Sequence, residues 1–193
     1  MERARRASVI GVLVSGSGTN LQALLDADLP VSAVASNVSG ALALERAGAA
    51  GVAIAVFPLE DYTSREERDL ALADWLADHA VELVVCAGYM QLLTPGFLAR
   101  FPAINVHPSL LPAFPGARAV EEALSAGATE TGVTVHFLDE GVDTGPVIVQ
   151  EPVPILAGDT PATLQARLQE VEHRLLPEAA RLYVAGALRS AAE

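Results

Sequence analysis

Residues 8–27 read Ser-Val-Ile-Gly-Val-Leu-Val-Ser-Gly-Ser-Gly-Thr-Asn-Leu-Gln-Ala-Leu-Leu-Asp-Ala. Residues 8–15 are almost continuously apolar and rich in β-branched side chains, the pattern of a strand buried on both faces. A Gly-rich turn follows, and from Asn20 the leucines at 21, 24 and 25 fall at helical spacing. Strand, turn and helix in this order open a parallel α/β arrangement, and the same alternation continues along the chain. Strands are expected at 31–36, 53–57, 83–86, 104–107, 131–138 and 146–153, with a helix at 41–50. Ser64-Arg65-Glu66-Glu67 matches a capping box and opens a helix carrying Leu72, Trp75 and Leu76 on one face, with His79 at its solvated end.

The strand at 104–107 enters a loop punctuated by Pro108, Pro112 and Pro115. A long closing helix starts near Thr160, with Pro161 in the favourable first turn and a stripe of Leu164, Leu168, Val171, Leu175 and Leu182. Pro177 is expected to kink or break it. No repeat, linker or shift of composition divides the chain. The expected fold is one doubly wound α/β domain over residues 1–193, a mostly parallel sheet with helices on both faces. Residues 1–7 are expected to be a flexible extension.

Composition narrows the chemistry. Twelve basic against twenty-four acidic residues give a net charge of −12, and all twelve cations are Arg. Without Lys there is no Schiff-base lysine and no lysine-bearing phosphate loop. The acidity argues against nucleic acid as a partner. The single cysteine, Cys86, permits no intrachain disulfide and fits a reducing, cytoplasmic setting. Basic residues precede the first apolar run as in a secretory signal, but the run is short and enters the Gly-rich turn. No stretch approaches the ~20 apolar residues that a membrane span requires.

In a doubly wound sheet, ligands sit beyond the carboxyl ends of the strands, and three motifs fall there. Ser15-Gly16-Ser17-Gly18-Thr19-Asn20 joins the first strand to a helix N-terminus, where free N–H groups and the helix dipole favour an anion. Leu21 stands where the third glycine of a dinucleotide fingerprint belongs, and no acidic residue ends the second strand. The motif reads either as a monophosphate site or as a tight turn capped by Asn or Thr.

Asn105 and His107, two apart on a strand, share one face near its carboxyl end. An amide donor beside an imidazole suits a developing oxyanion, with the His also able to move a proton. The alternative is a buried His satisfied by backbone carbonyls. Ser109 lacks the G-x-S-x-G context of a nucleophile. In the loop Asp139-Glu140-Gly141-Val142-Asp143-Thr144-Gly145-Pro146 the spacing is not that of an EF-hand, and no metal site is expected. The loop is either a solvated turn or the source of a carboxylate, Asp143, that favours the charged form of His107.

The segments VSGSGTNLQALLDA, AGYMQLL, INVHPSLLPAFPG, TGVTVHFLDEGVDTGPVIVQEPVPI and VEHRLLP, in this order, closely resemble the phosphoribosylglycinamide formyltransferase family. The resemblance runs from about Val9 to Leu188. It implies a Rossmann-like formyltransferase fold and transfer of a formyl group from 10-formyltetrahydrofolate, as co-substrate, to the amine of glycinamide ribonucleotide in purine synthesis. Asn105, His107 and Asp143 match the catalytic trio. Gly18, Thr19 and Asn20 match the phosphate loop, and Glu172 matches a ribonucleotide contact that the residues alone would suggest is a solvated helix charge. Arg65, Met90, Gln91, Leu92 and Leu93, with Asp139, Glu140, Gly141, Val142, Asp143 and also Asn105, match the folate site. His136 is expected to be a structural strand residue near it, and Leu111–Pro112 is a candidate for a cis bond.

Two positions depart from the family pattern. Gln91 stands where Arg is common, and Arg118 where His is common, which leaves Arg65 and Arg118 as the cations expected on the folate side. The resemblance further implies a cytoplasmic monomer or homodimer acting on small molecules, with no nucleic-acid or membrane partner. Two rival functions are compatible with these residues: a formyltetrahydrofolate deformylase-like hydrolase and a non-catalytic phosphometabolite-binding domain. A methionyl-tRNA formyltransferase is disfavoured for want of an RNA-binding domain and a basic face.

Overall fold

The apolar run that opens the chain becomes β1 (Ile10–Val14), buried along its whole length as an interior strand of the sheet with helices on both faces. The computed structural model describes residues 8–188, so the extension expected at residues 1–7 lies outside it. β1 is flanked in parallel by β2 (Val31–Ser36) and β4 (Leu83–Cys86). β3 (Ala53–Val56) pairs beyond β2, and β5 (Ala103–His107) beyond β4, both parallel. β6 (Glu130–Phe137) and β7 (Val147–Pro154) add antiparallel strands, giving the order β3-β2-β1-β4-β5-β6-β7.

Side-chain alternation along β1 feeds a core on each face of the sheet. Val12 and Val14 pack with α1 (Thr19–Asp26), α2 (Leu42–Ala49), α5 (Ala119–Ser125) and α6 (Pro161–Val184). Leu13 points the other way, into a core with Leu72 and Leu76 of α3 (Arg65–Asp78) and Phe97 of α4 (Pro95–Leu98). The order reverses between β2–β1 and β4–β5, so the loops after β1 and β4 splay apart at their carboxyl ends and leave a crevice.

Three local expectations need correction. At α3 the Ser64 hydroxyl accepts from the Glu67 N–H at 3.1 Å, but the Glu67 carboxylate reaches Thr63 rather than the Ser64 N–H, so the box is only half formed. The reciprocal box is at α6, between Thr160 and Thr163. Pro177 does not break α6, which runs on to Val184. Its missing N–H costs about 3 kcal/mol in a helix interior. The neighbouring Leu175, Leu176, Ala179 and Ala180 are buried, and each Leu contributes roughly 1.5–3 kcal/mol. The short helices α4 and α5 were not foreseen.

Candidate active site

The crevice beyond β1 and β4 is a cleft of about 690 Å³. Its floor is made by the ends of β4 and β5, where Cys86, Asn105 and His107 emerge. Its walls are the Gly-rich loop, the segment after β4, the loop before β7 and one face of α6. A hydrogen bond ties the first two walls together: the Met90 N–H donates to the Ser15 hydroxyl at 2.8 Å. The Cys86 thiol, buried at the floor, is pushed up to about 12 by desolvation.

Gly18, Thr19 and Asn20 lie at the N-terminus of α1, whose N-cap is Gly18 itself, with no side chain capping the first turn. The capped-turn alternative is therefore not what forms, and the first-turn N–H groups face the cleft without a side-chain acceptor. Gly18 is required for two reasons. Its φ is 72°, and a Cβ there would lie 2.6 Å from the Cβ of Ala43. α2 thus packs directly under the loop, and Arg46 of α2 donates through Nε to the Ser17 carbonyl at 2.8 Å. The Asn20 amide donates to a Glu172 carboxylate oxygen at 2.8 Å, joining α1 to α6. Asn20 Oδ1 is buried without a partner among the described residues.

Glu172 is only 5% exposed, so it is not the solvated charge its helix position suggests. Desolvation raises its pKa; the Asn20 hydrogen bond and the charge on His107 oppose that rise in part. A signal for it was present in the sequence, since Leu164, Leu168 and Glu172 repeat every four residues and share a face. Gln165 and Gln169 also line the cleft, on the turns before Glu172, and were missed.

Antiparallel pairing sets Asn105 opposite His136 and His107 opposite Thr134. His107 is 5% exposed, with Nδ1 3.4 Å from Asp143 Oδ2 and Nε2 2.8 Å from the Phe114 carbonyl. Both ring nitrogens therefore face acceptors. His136, expected to be purely structural, is fully buried with Nε2 3.5 Å from the other Asp143 oxygen and 3.4 Å from the Asn105 amide nitrogen. One carboxylate is thus shared by two imidazoles, a contact no sequence spacing announced. Asp143 sits at φ 54°, a left-handed conformation that Asp tolerates better than most residues. Burial would raise its pKa, but the hydrogen bonds from His136 and the Gly116 N–H, with the charges of both imidazoles, lower it on balance.

The loop after β5 is braced from below. The Leu111–Pro112 bond is cis, Ser109 donates to the Ala113 carbonyl, and Thr134 donates to the Ser109 carbonyl. Gln150 donates to the Leu111 carbonyl at 2.9 Å.

Of the residues expected on the folate side, Met90, Gln91, Leu92, Gly141, Val142, Asn105 and Asp143 line the cleft. Arg65, Leu93, Asp139 and Glu140 do not. Arg65 is exposed on the first turn of α3. Leu93 is partly buried against the core on the α3 face of the sheet. Asp139 turns back on its own loop, accepting from Gly141 N–H at 3.0 Å and the Thr144 hydroxyl at 2.7 Å. Arg118 is also exposed and outside the cleft, 3.7 Å from Glu122. The arginine that reaches the Met90–Leu93 segment is Arg68, fully buried one turn after Arg65.

A family profile described as "Formyl transferase" matches residues 9–180. The chain is 42% identical to "Phosphoribosylglycinamide formyltransferase" of Haemophilus influenzae, over 93% of its own length and 89% of that protein. It is 45% identical to "Trifunctional purine biosynthetic protein adenosine-3" of Chironomus tentans, over 93% of this chain but only 14% of that much longer protein. The solved structure of glycinamide ribonucleotide transformylase 1 from Symbiobacterium toebii superposes with a TM-score of 0.93 at 47% identity, covering 96% of this chain and 92% of that one.

Proposed function

The chain belongs to the formyl transferase family, in the branch named for phosphoribosylglycinamide, and we propose from that premise that its cleft transfers the formyl group of 10-formyltetrahydrofolate to the amine of glycinamide ribonucleotide. The observation that carries the reading is the grouping, in one cleft, of an uncapped Gly-rich helix N-terminus, a buried carboxylate and the Asn105–His107–Asp143 constellation.

The division of labour follows from the chemistry of each wall. The N–H groups of the Gly16–Asn20 loop hold the phosphate, with the α1 dipole and Arg46 behind the loop adding positive potential. Glu172 and Asn20 meet the ribonucleotide deeper in the cleft. The apolar side chains of Met90, Leu92 and Val142 wall the pterin, while main-chain groups of the same segments supply its hydrogen bonds.

When the amine nitrogen adds to the formyl carbon, a C–N bond forms and negative charge builds on the formyl oxygen. The Asn105 amide and a cationic His107 stabilise that charge at the floor of the cleft. Collapse breaks the bond from the formyl carbon to N10 of the folate, and the proton lost by the amine ends on N10. Asp143 compensates the imidazolium and serves the proton movement, with His136 holding its second oxygen in place. The setting proposed is cytoplasmic, in keeping with a single buried cysteine.

The test is product analysis with 10-formyltetrahydrofolate in the presence and absence of glycinamide ribonucleotide. Formylated ribonucleotide and tetrahydrofolate should appear in equal amounts and only together. Formate released without the amine would assign a hydrolase, and binding without turnover a phosphometabolite-binding domain.

A further inference from the structure

Arg68 is one of the largest fully buried side chains of the protein, and its guanidinium is directed at the back of the cleft wall rather than into the cleft. Nε and Nη2 both donate to Asp69 Oδ1, at 2.9 and 2.6 Å. Nη2 also donates to the Leu92 carbonyl, and Nη1 to the side-chain oxygen of Gln91, each at 3.3 Å. The second oxygen of Asp69 accepts from the Thr94 N–H at 2.7 Å. The pair therefore grips the segment 91–94 at three points, through two side chains adjacent on one turn of α3.

The chemistry of the guanidinium makes this grip directional. It has donors only, so the group of Gln91 that meets it must be the amide oxygen. The Gln91 NH2 is then turned away from Arg68, and Gln91 is one of the residues that line the cleft. A free glutamine can turn either its oxygen or its nitrogen to a ligand. This one is fixed as a donor by a buried cation that never reaches the ligand itself.

We infer that Arg68 is a positioning and specificity-determining residue, which locks Gln91 as an obligate neutral hydrogen-bond donor to a carboxylate or carbonyl oxygen of the folate-class co-substrate. The inference rests on the cleft taking such a co-substrate, as proposed above. It also accounts for how this end of the cleft offers a donor although neither Arg65 nor Arg118 lines it.

The experiment is a cycle of Arg68→Lys, Gln91→Glu and the double variant in the full-length protein. For each, KM for 10-formyltetrahydrofolate, KM for glycinamide ribonucleotide, kcat and the Kd of tetrahydrofolate by calorimetry are measured. Lys keeps a charge beside Asp69 but loses the fork. Glu keeps the contact to Arg68 while presenting only acceptors, and it leaves the buried pair intact should Arg68→Lys fail to fold. Each single variant should weaken folate KM and tetrahydrofolate Kd by about threefold to tenfold, the scale of one lost hydrogen bond. The ribonucleotide KM should stay within twofold, and the double variant should be no weaker than the worse single.

Unchanged folate affinity in Gln91→Glu, additive losses in the cycle, or equal losses for both substrates would overturn the assignment. A wild-type protein that does not bind tetrahydrofolate at all would instead overturn the reading on which it rests.

Discussion

Glu172→Gln exchanges one oxygen for an NH2 group at a position 5% exposed, and three neighbouring groups set the consequence. The carboxylate is desolvated, which raises its pKa above the ordinary 4.5. Among the described residues it has one hydrogen-bond donor, the Asn20 amide at 2.8 Å, and the other atom of that amide, Asn20 Oδ1, is buried without a partner. A Gln at this position removes the buried charge and can pair with Asn20 reciprocally, its oxygen accepting from Nδ2 and its nitrogen donating to Oδ1. Relieving one orphaned buried acceptor is worth about 1–3 kcal/mol. Loss of the attraction to His107 works against this gain.

The variant should therefore be more stable near pH 7.5 by about 1–2 kcal/mol, seen as a Tm higher by a few degrees, at about 2–4 °C per kcal/mol for a chain of this size. The dependence on pH has a definite sign. With a folded pKa above the unfolded one, the wild type gains fully from protonation below the unfolded value and loses that gain as pH rises through the folded value. The variant has no such loss, so the difference in Tm should open as pH rises above about 4.5. At the same time KM for glycinamide ribonucleotide should rise by about tenfold or more, because a contact worth at least 1.4 kcal/mol is lost. Thermal melts across pH, alongside steady-state kinetics, read both effects. A variant less stable than wild type at pH 7.5, or a difference in Tm that does not change with pH, would refute the claim that function holds an unfavourable charge in the core.

Further predictions concern the same cleft. Gly18→Ala forces a Cβ to within 2.6 Å of Ala43 at a positive φ; it should cost about 1–3 kcal/mol in a denaturant melt and weaken ribonucleotide binding, and a stable variant with normal KM would contradict the packing of α2 under the loop. Asn20→Ala removes the donor that partly offsets the burial of Glu172. It should raise the ribonucleotide KM, and an unchanged KM would separate the loop from that substrate. Cys86, its thiol pushed up to about 12 by burial, should resist alkylation at pH 8 in the native protein and react on unfolding; rapid labelling of folded protein would contradict the burial of the thiol.

Much of the fold was legible because it depends on local pattern. β4 begins and ends where its apolar run does, since a strand buried on both faces favours apolar side chains throughout, and β2 spans 31–36 although Ser32 and Ser36 interrupt its apolar pattern. Pro177 misled because propensity is local and the burial that overrides it is tertiary. The one-turn α4 gives too few residues to show a period. In the site, Asn105 and His107 could be placed together by strand alternation alone. The contact of His136 with Asp143 could not, because it depends on the register of β5 against β6 and on the turn that brings Asp143 back over them. Arg68 was passed over for Arg65 on the same grounds. Both are basic and three residues apart, and only the packing of α3 decides that Arg68 faces inward.

The proposed formyl transfer depends most directly on the chemistry of the Asn105–His107–Asp143 group, and single-turnover formyl transfer with His107→Ala and Asp143→Asn measures it. With saturating substrates the rate should fall by about 10²–10⁴-fold, the range for removing a positioned acid–base or oxyanion-stabilising group, while the Kd of glycinamide ribonucleotide stays within a few fold. A near-normal rate in either variant, or a loss that appears only in the Kd, would contradict it.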